Sequence, residues 1–229
     1  MRAHGPRLLR MSHEAIRTVF DTWATNGRAE GMEQGHGDVV AQIVGQMGIR
    51  PGMQSLDLGC GHGWATRLLG KAAPGATAIG VDVSPAMIAK AEETHDLTSR
   101  ARYVLGTFDA LDFKDGRFDR VFSMEAIYYA PDLTAALAEI ARVTKSGGEL
   151  HLLLDRFQES PVTEGWSADV GLEMAWLGVA EWEEAVRAAG FTDVTSSRVL
   201  DSRGPSDAAD ADRVALHEAG TLWIRGTRS

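Results

Sequence analysis

Ser55-Leu56-Asp57-Leu58-Gly59-Cys60-Gly61-His62-Gly63-Trp64-Ala65-Thr66-Arg67-Leu68-Leu69 reads as a short apolar strand, three alternate glycines and an amphipathic helix with Ala65, Leu68 and Leu69 on one face. A strand that enters a glycine turn and leaves as a helix aims the helix's unpaired N–H groups at the crevice above a sheet, where a ligand can sit. Glycine lets main chain approach that ligand without an intervening Cβ. Spacing narrows the choice. A dinucleotide fingerprint, Gly-x-Gly-x-x-Gly, needs its third glycine where the helix packs on the strand. That position is Trp64 counted from Gly59 and Gly61, and Thr66 counted from Gly61 and Gly63. The pattern present is Asp57-x-Gly59-x-Gly61-x-Gly63.

Downstream, Thr77-Ala78-Ile79-Gly80-Val81-Asp82 predicts a second strand ending in a carboxylate. The C-terminal ends of parallel strands face the ligand crevice, so Asp82 is placed to accept from a ribose diol. Ser84-Pro85 already supplies the start of the next helix, over residues 85–93, with Met87, Ile88 and Ala91 inward. A third strand over residues 101–106 is followed by Phe108, suited to lie against a purine ring, and by Asp109, suited to accept from an exocyclic amine. The fourth, over 118–124, leaves Ser123, Met124 and Glu125 at the crevice edge. A helix built on Leu133, Leu137, Ile140, Ala141 and Val143 precedes a fifth strand over 149–154, and residues 191–200 and 221–226 read as two more. Strands alternating with helices predict an α/β fold, a Rossmann-like doubly wound sheet of seven strands, mostly parallel.

Upstream, Ser12 caps a helix with Ile16, Val19, Phe20 and Trp23 at helical spacing, ending near Asn26-Gly27. Residues 28–37 hold three glycines, Met32 and His36 and read as a link, a candidate lid over the crevice; a second helix follows over 38–47. The chain thus divides into N-terminal helices with a candidate lid, residues 1–50, and the sheet domain, residues 51–229, within one structural domain.

With 229 residues and a net charge of -9, a broad basic surface is excluded and no nucleic-acid partner is expected. No apolar run has the length of a membrane span, and residues 1–10 are basic without an apolar core or cleavage site, which predicts a cytoplasmic protein. Met11 is a candidate second start, which would make residues 1–10 a disordered extension. The single cysteine, Cys60, allows no disulfide framework and no thiolate cluster, and no metal is expected. It reads as a small residue tolerated between glycines.

Residues 53–155 resemble the class I S-adenosylmethionine-dependent methyltransferases, in the group that includes the ubiquinone and menaquinone enzymes. The glycine turn looks like that group's first motif and Gly80-Val81-Asp82-Val83-Ser84-Pro85-Ala86-Met87 its second. Gly106-Thr107-Phe108-Asp109-Ala110-Leu111-Asp112-Phe113, Asp115-Gly116-Arg117-Phe118-Asp119 and Glu139-Ile140-Ala141-Arg142-Val143-Thr144-Lys145-Ser146-Gly147-Gly148 are similar to the later ones. The resemblance implies S-adenosylmethionine as cofactor and S-adenosylhomocysteine as product. It implies that Asp57 and the turn of Gly59, Cys60, Gly61 and Gly63 hold the methionine part, Asp82 the ribose, and Phe108 with Asp109 the adenine. Val83 and Met87 count among the cofactor-binding residues, and Ser123, Met124 and Glu125 lie near the sulfonium. It also implies one antiparallel strand near the sheet edge. Asp112 and Ser146 replace prolines common in the group, which bears on loop shape.

Methyl transfer from a sulfonium is an in-line displacement with an activated donor, so the protein mainly aligns the acceptor, excludes water and receives a proton. Candidates for catalysis are Glu125, as a base or substrate holder, with a cofactor contact or a cap for the following helix as equal alternatives, His36 in the candidate lid, and Tyr128. Tyr128 and Tyr129 are candidates for the acceptor pocket, as are Trp23, Trp166, Met174 and Trp176; Arg28 is one for the cofactor carboxylate, and His151 reads as core. Ser123-Met124-Glu125-Ala126 stands where enzymes methylating base or glutamine amino groups have Asn/Asp-Pro-Pro-Tyr/Phe. Cytosine C5 and arsenite methylation need thiols this chain lacks. A small organic acceptor remains, with oxygen, nitrogen and carbon all open. A module that binds the cofactor without transferring methyl stays open too; an NAD oxidoreductase is disfavoured by the missing third glycine and Tyr-x-x-x-Lys pair.

Overall fold

The structure, a computed structural model, describes residues 11–229; residues 1–10, and the disordered extension expected there, lie outside the described residues. Helices α1 (His13–Thr25) and α2 (Arg28–Gln46) precede β1 (Gln54–Leu58), α3 (Trp64–Lys71), β2 (Thr77–Asp82), α4 (Pro85–Glu93) and β3 (Ala101–Leu105). Next come β4 (Phe118–Met124), α5 (Leu133–Val143), β5 (Thr144–Leu154), α6 (Trp166–Val170), α7 (Val179–Ala188), β6 (Phe191–Val199), α8 (Ala211–Ala219) and β7 (Thr221–Arg228). The strands form one sheet in the order β3-β2-β1-β4-β5-β7-β6. β7 runs antiparallel to both β5 and β6, and the other neighbours pair in parallel, as expected. The order turns back between β1 and β4, which opens a crevice above their C-terminal ends.

The central strands are apolar because both faces are covered. Leu56 and Val121 belong to one buried cluster with Leu137, Ile140 and Trp182, while Phe122 belongs to another with Val40, Ile43, Leu69 and Trp223. Among the described residues no helix is long and apolar enough to cross a membrane.

One expectation is corrected. Residues 28–37 are not a link but the first half of α2, continuous to Gln46. Each helical glycine costs about 1 kcal/mol relative to alanine, yet burial of Ala29, Val39, Val40 and Ile43 on one side holds the helix together. Gly31 and Gly35 are used for room: they line the cavity above the sheet.

α1 is anchored beside α4. The Ser84 hydroxyl accepts from the Met87 N–H at 3.0 Å and donates to Asp21 Oδ1 at 2.6 Å, and Lys90 Nζ donates to the Ala24 carbonyl at 2.9 Å. Ser84 is fully buried, so Ser84→Ala removes a helix cap and leaves Asp21 Oδ1 with the Ala86 N–H, at 3.3 Å, as its remaining donor among the described residues. We expect a loss of about 1–2 kcal/mol in chemical denaturation; a loss below about 0.5 kcal/mol would show that the α1 contact is dispensable.

Candidate functional site

The glycine turn is clamped to the end of β2. The Gly59 and Cys60 N–H groups donate to the Val81 carbonyl at 2.8 and 3.1 Å. Asp82 accepts from the Gly61 N–H through Oδ2 at 2.8 Å and from the Ser84 N–H through Oδ1 at 2.9 Å. All three glycines have positive φ, and at two of them packing also excludes a side chain: a Cβ would stand 2.2 Å from Ala126 Cβ at Gly59 and 2.4 Å from the Tyr103 ring at Gly63. Cys60 is buried and packs towards Gly80, where a Cβ would come within 2.7 Å of its sulfur. Burial pushes its thiol well up, in keeping with a packing role.

Asp57, at 2% exposure, accepts from the Thr66 hydroxyl at 2.6 Å, tying β1 to the first turn of α3. Burial raises its carboxyl to about 7, and burial raises that of Asp82 to about 6. Two carboxylates held this close to neutrality are poised to gain a cation or a hydrogen-bond donor from a ligand.

A cavity of about 680 Å³ opens over these groups. Asp57, Gly59, Cys60, Gly61, Asp82, Val83, Met87, Phe108, Met124, Glu125, Tyr128 and His36 all line it. Gly63, Asp109 and Ser123 are not among the lining residues. Gly63 starts α3 and makes room for Tyr103. The Ser123 hydroxyl donates to the Leu58 carbonyl at 3.0 Å, and Asp109 Oδ2 meets His13 Nε2 at 3.0 Å. His13, which comes from α1 and lines the cavity, had no signal in the sequence.

The ends of β4 and β5 form a second cluster. Glu125 has φ +51° and is 6% exposed; its Oε2 accepts from the Tyr128 hydroxyl at 2.8 Å and its Oε1 from the Asp155 N–H. Burial, then the charge of Asp155, pushes the Glu125 carboxyl well above the usual carboxylate range. Asp155 Oδ1 accepts from the Thr221 hydroxyl at 2.6 Å, and Oδ2 lies 3.6 Å from His36 Nδ1. Asp155 is a carboxylate directly after a strand, the same signal that singled out Asp82, and was overlooked. Residues of the α8 region, such as Arg213 and His217, also line the cavity and carried no motif.

Of the other candidates, Trp23, Trp166 and Tyr129 line the cavity; Met174 is in the core and Trp176 lies under Arg156. The Arg28 guanidinium sits 3.9 Å over the Trp23 ring at the cavity wall. His151 is core, its Nδ1 accepting from Trp223 Nε1 at 3.3 Å. The arrangement fits an adenosine-bearing sulfonium on its own terms. Gly59, Cys60 and Gly61 border the cavity, α3 starts without a side-chain cap, and buried carboxylates stand at two strand ends.

The comparisons agree. A family model described as a methyltransferase domain matches residues 56–152. The chain is 31% identical over 161 residues to the 2-methyl-6-phytyl-1,4-hydroquinone methyltransferase of Synechocystis sp., covering 61% of this chain and 50% of that one. It is 37% identical over 109 residues to a sterol 24-C-methyltransferase of Gibberella zeae, covering 46% of this chain and 28% of that one. The chain therefore spans half or less of the length of these curated relatives. Among solved structures, a chain described as a methyltransferase, in complex with the Haloferax volcanii Trm112 methyltransferase activator, superposes with a TM-score of 0.83 at 33% identity, covering 91% of this chain and 96% of that one. A SAM-dependent methyltransferase of Thermotoga maritima shares the fold, with a TM-score of 0.71 at 20% identity over 93% of this chain and 100% of that one. Fold and glycine turn are thus those of the class I S-adenosylmethionine-dependent methyltransferases. The chain belongs to that family, and residues 56–152 are the part that matches the methyltransferase domain model.

Proposed function

We propose that the protein is an S-adenosylmethionine-dependent methyltransferase acting on a small organic molecule by in-line transfer. The observation that carries the reading is the glycine turn locked to Asp82, beside a cavity that continues from the turn to the ends of β4 and β5. When bound, the cofactor supplies an activated methyl group on a sulfonium. The chain's own residues bind and orient. Asp57 and the turn take the methionine part; Asp82, Val83 and Met87 enclose the ribose; Phe108 lies against the adenine. Asp109 acts on the adenine side from behind His13. Met124 borders the reacting end, and Ser123 holds β4 to β1 beneath it.

Glu125 and Tyr128 act as one unit. Since burial favours the protonated acid, Glu125 positions Tyr128 and the end of β5 rather than serving as a ready base. His36, beside Asp155 on α2, is the group placed to receive a proton. Helix α2 as a whole, with α1, shields the crevice from water, a lid role expected of residues 28–37 and here extended to both helices.

Calorimetry with S-adenosylmethionine, S-adenosylhomocysteine and NAD tests the assignment. We expect both sulfur ligands to bind and NAD not to; binding of NAD alone would overturn it. A second reading, a module that holds the cofactor without transfer or transfers only with a protein partner, draws support from the neighbour solved with an activator. Transfer that appears only on adding a Trm112-type protein would favour it.

A further inference from the structure

The cavity has two halves, set by the strand order. The glycine turn and Asp82 occupy the side over β1 and β2, while Glu125, Asp155 and Thr221 occupy the side over β4, β5 and β7. On this second side the charged groups that are both buried and line the cavity are acidic, Glu125 and Asp155, each 6% exposed; the buried Arg156 lies behind the lining, donating to the Thr163 and Glu164 carbonyls and the Ser167 hydroxyl. The lining arginines, Arg28 and Arg213, are exposed, and Arg28 is parked on Trp23. Charges at the rim are screened by water and salt, whereas those on the floor act through a low dielectric. Asp155 has one hydroxyl on Oδ1, and its ion-pair partner among the described residues is His36, at 3.6 Å, beyond hydrogen-bond length. Rings complete the wall: Tyr128 and Tyr129 have centroids 4.7 Å apart, Tyr129 and Phe20 5.0 Å, and Phe20 and Trp23 4.9 Å.

Building on the methyltransferase reading, we propose that the acceptor is an organic cation, a primary or secondary amine on an apolar or aromatic skeleton, with Asp155 as its counter-charge. A buried carboxylate lacking a full cationic partner is costly, and a ligand ammonium removes that cost. Aromatic faces favour an ammonium over a neutral hydroxyl, and most strongly where water is excluded. An anionic acceptor would meet the Asp155 carboxylate with no cation among the described residues lining the floor to offset it, since Arg156 is turned to Thr163, Glu164 and Ser167. For transfer, the ammonium gives one proton to Asp155 and the freed nitrogen lone pair forms the N–C bond as the S–C bond breaks. The bond pair stays on sulfur, leaving a thioether and a methylated ammonium, and the proton leaves Asp155 through His36.

Three probes of one skeleton test this: 4-phenylbutylamine, 4-phenylbutanol and 4-phenylbutyrate, each titrated calorimetrically into the full chain saturated with S-adenosylhomocysteine. We expect the ammonium to bind at least about tenfold more tightly than the alcohol, with the carboxylate weakest. In Asp155→Asn the preference for ammonium over alcohol should fall to near parity while S-adenosylhomocysteine affinity is kept, which reports that the variant is folded. Equal or tighter binding of the alcohol or the carboxylate, binding of none of the three, or a preference that survives in folded Asp155→Asn would overturn the proposal. Should Asp155→Asn not fold, the order of the three probes on the unmodified chain still decides. Failure to bind S-adenosylhomocysteine at the outset would instead sink the methyltransferase reading, so the two failures are distinct.

Discussion

Gly59→Ala is expected to weaken S-adenosylhomocysteine binding by about a hundredfold or more. Gly59 sits at φ +72°, and an added Cβ would stand 2.2 Å from Ala126 Cβ, against a short side chain with no flexible end to give way. A non-glycine residue in this left-handed region costs about 1–2 kcal/mol, and overpacking adds about 1–3 kcal/mol. Relief requires the turn to part from the end of β4, which is the seam where the two halves of the cavity meet. Binding and stability should therefore fall together, and calorimetry with a thermal melt reads both. Gly45→Ala is the control: it lies in α2, away from the cavity, with nothing within 4 Å of the added Cβ. It should raise stability by about 0.5–1 kcal/mol and leave binding alone. A Gly59→Ala affinity within about threefold of the unmodified chain would show that the turn does not need its glycine.

Asp57→Asn should make the ligand-free protein more stable at pH 8 and a poorer binder. The Asp57 carboxyl rises from its ordinary 3.8 to about 7 on folding, because it is buried. Between those values the folded chain keeps a proton that the unfolded chain has released, so stability falls as the pH rises through this window. At about 1.4 kcal/mol per pH unit, the full effect approaches about 4 kcal/mol, and relaxation of the site reduces it to about 2–4 kcal/mol. Asparagine has no charge to bury and still accepts from the Thr66 hydroxyl, so the variant should lose most of the decline between pH 5 and pH 8. The smaller contribution of Asp82, between 3.8 and about 6, should remain. The neutral amide attracts a ligand ammonium less, and we expect affinity for S-adenosylhomocysteine to fall by about tenfold. Urea denaturation at the two pH values checks the sign: equal destabilisation at both would mean that Asp57 is held as an ordinary structural carboxylate.

Buried carboxylates that cost stability are how this crevice differs from the rest of the sheet. Phe122, Leu152 and Val121 stabilise the fold by burial. Asp57, Asp82 and Glu125 oppose it at neutral pH, and the clamps around them, Thr66, Gly61, Ser84 and Tyr128, recover only part of the loss.

How much of this was legible before folding follows from the range of each signal. The strand–turn–helix around Gly59, the carboxylates at Asp57 and Asp82, the Ser12 and Ser84 caps and the alternation that makes a parallel sheet are all local. Periodicity, glycine spacing and capping chemistry act over a few residues, so the chain states them directly. The continuity of α2 was misread for the same reason, since local propensity places glycines in links and only the burial of Ala29, Val40 and Ile43 keeps them helical. His13 reaches Asp109 across 96 positions and Thr221 reaches Asp155 across 66. No local pattern encodes such pairs; they exist because the strand order brings distant chain ends to one crevice. The sequence by itself thus determined the sheet, the glycine turn and the family to which the fold belongs, each carried by consecutive local motifs. Only the tertiary structure decided what lines the cavity beyond the glycine turn, because that wall is assembled from α1, α2, Asp155 after β5, α6, α8 and β7, segments that meet only once the core has packed.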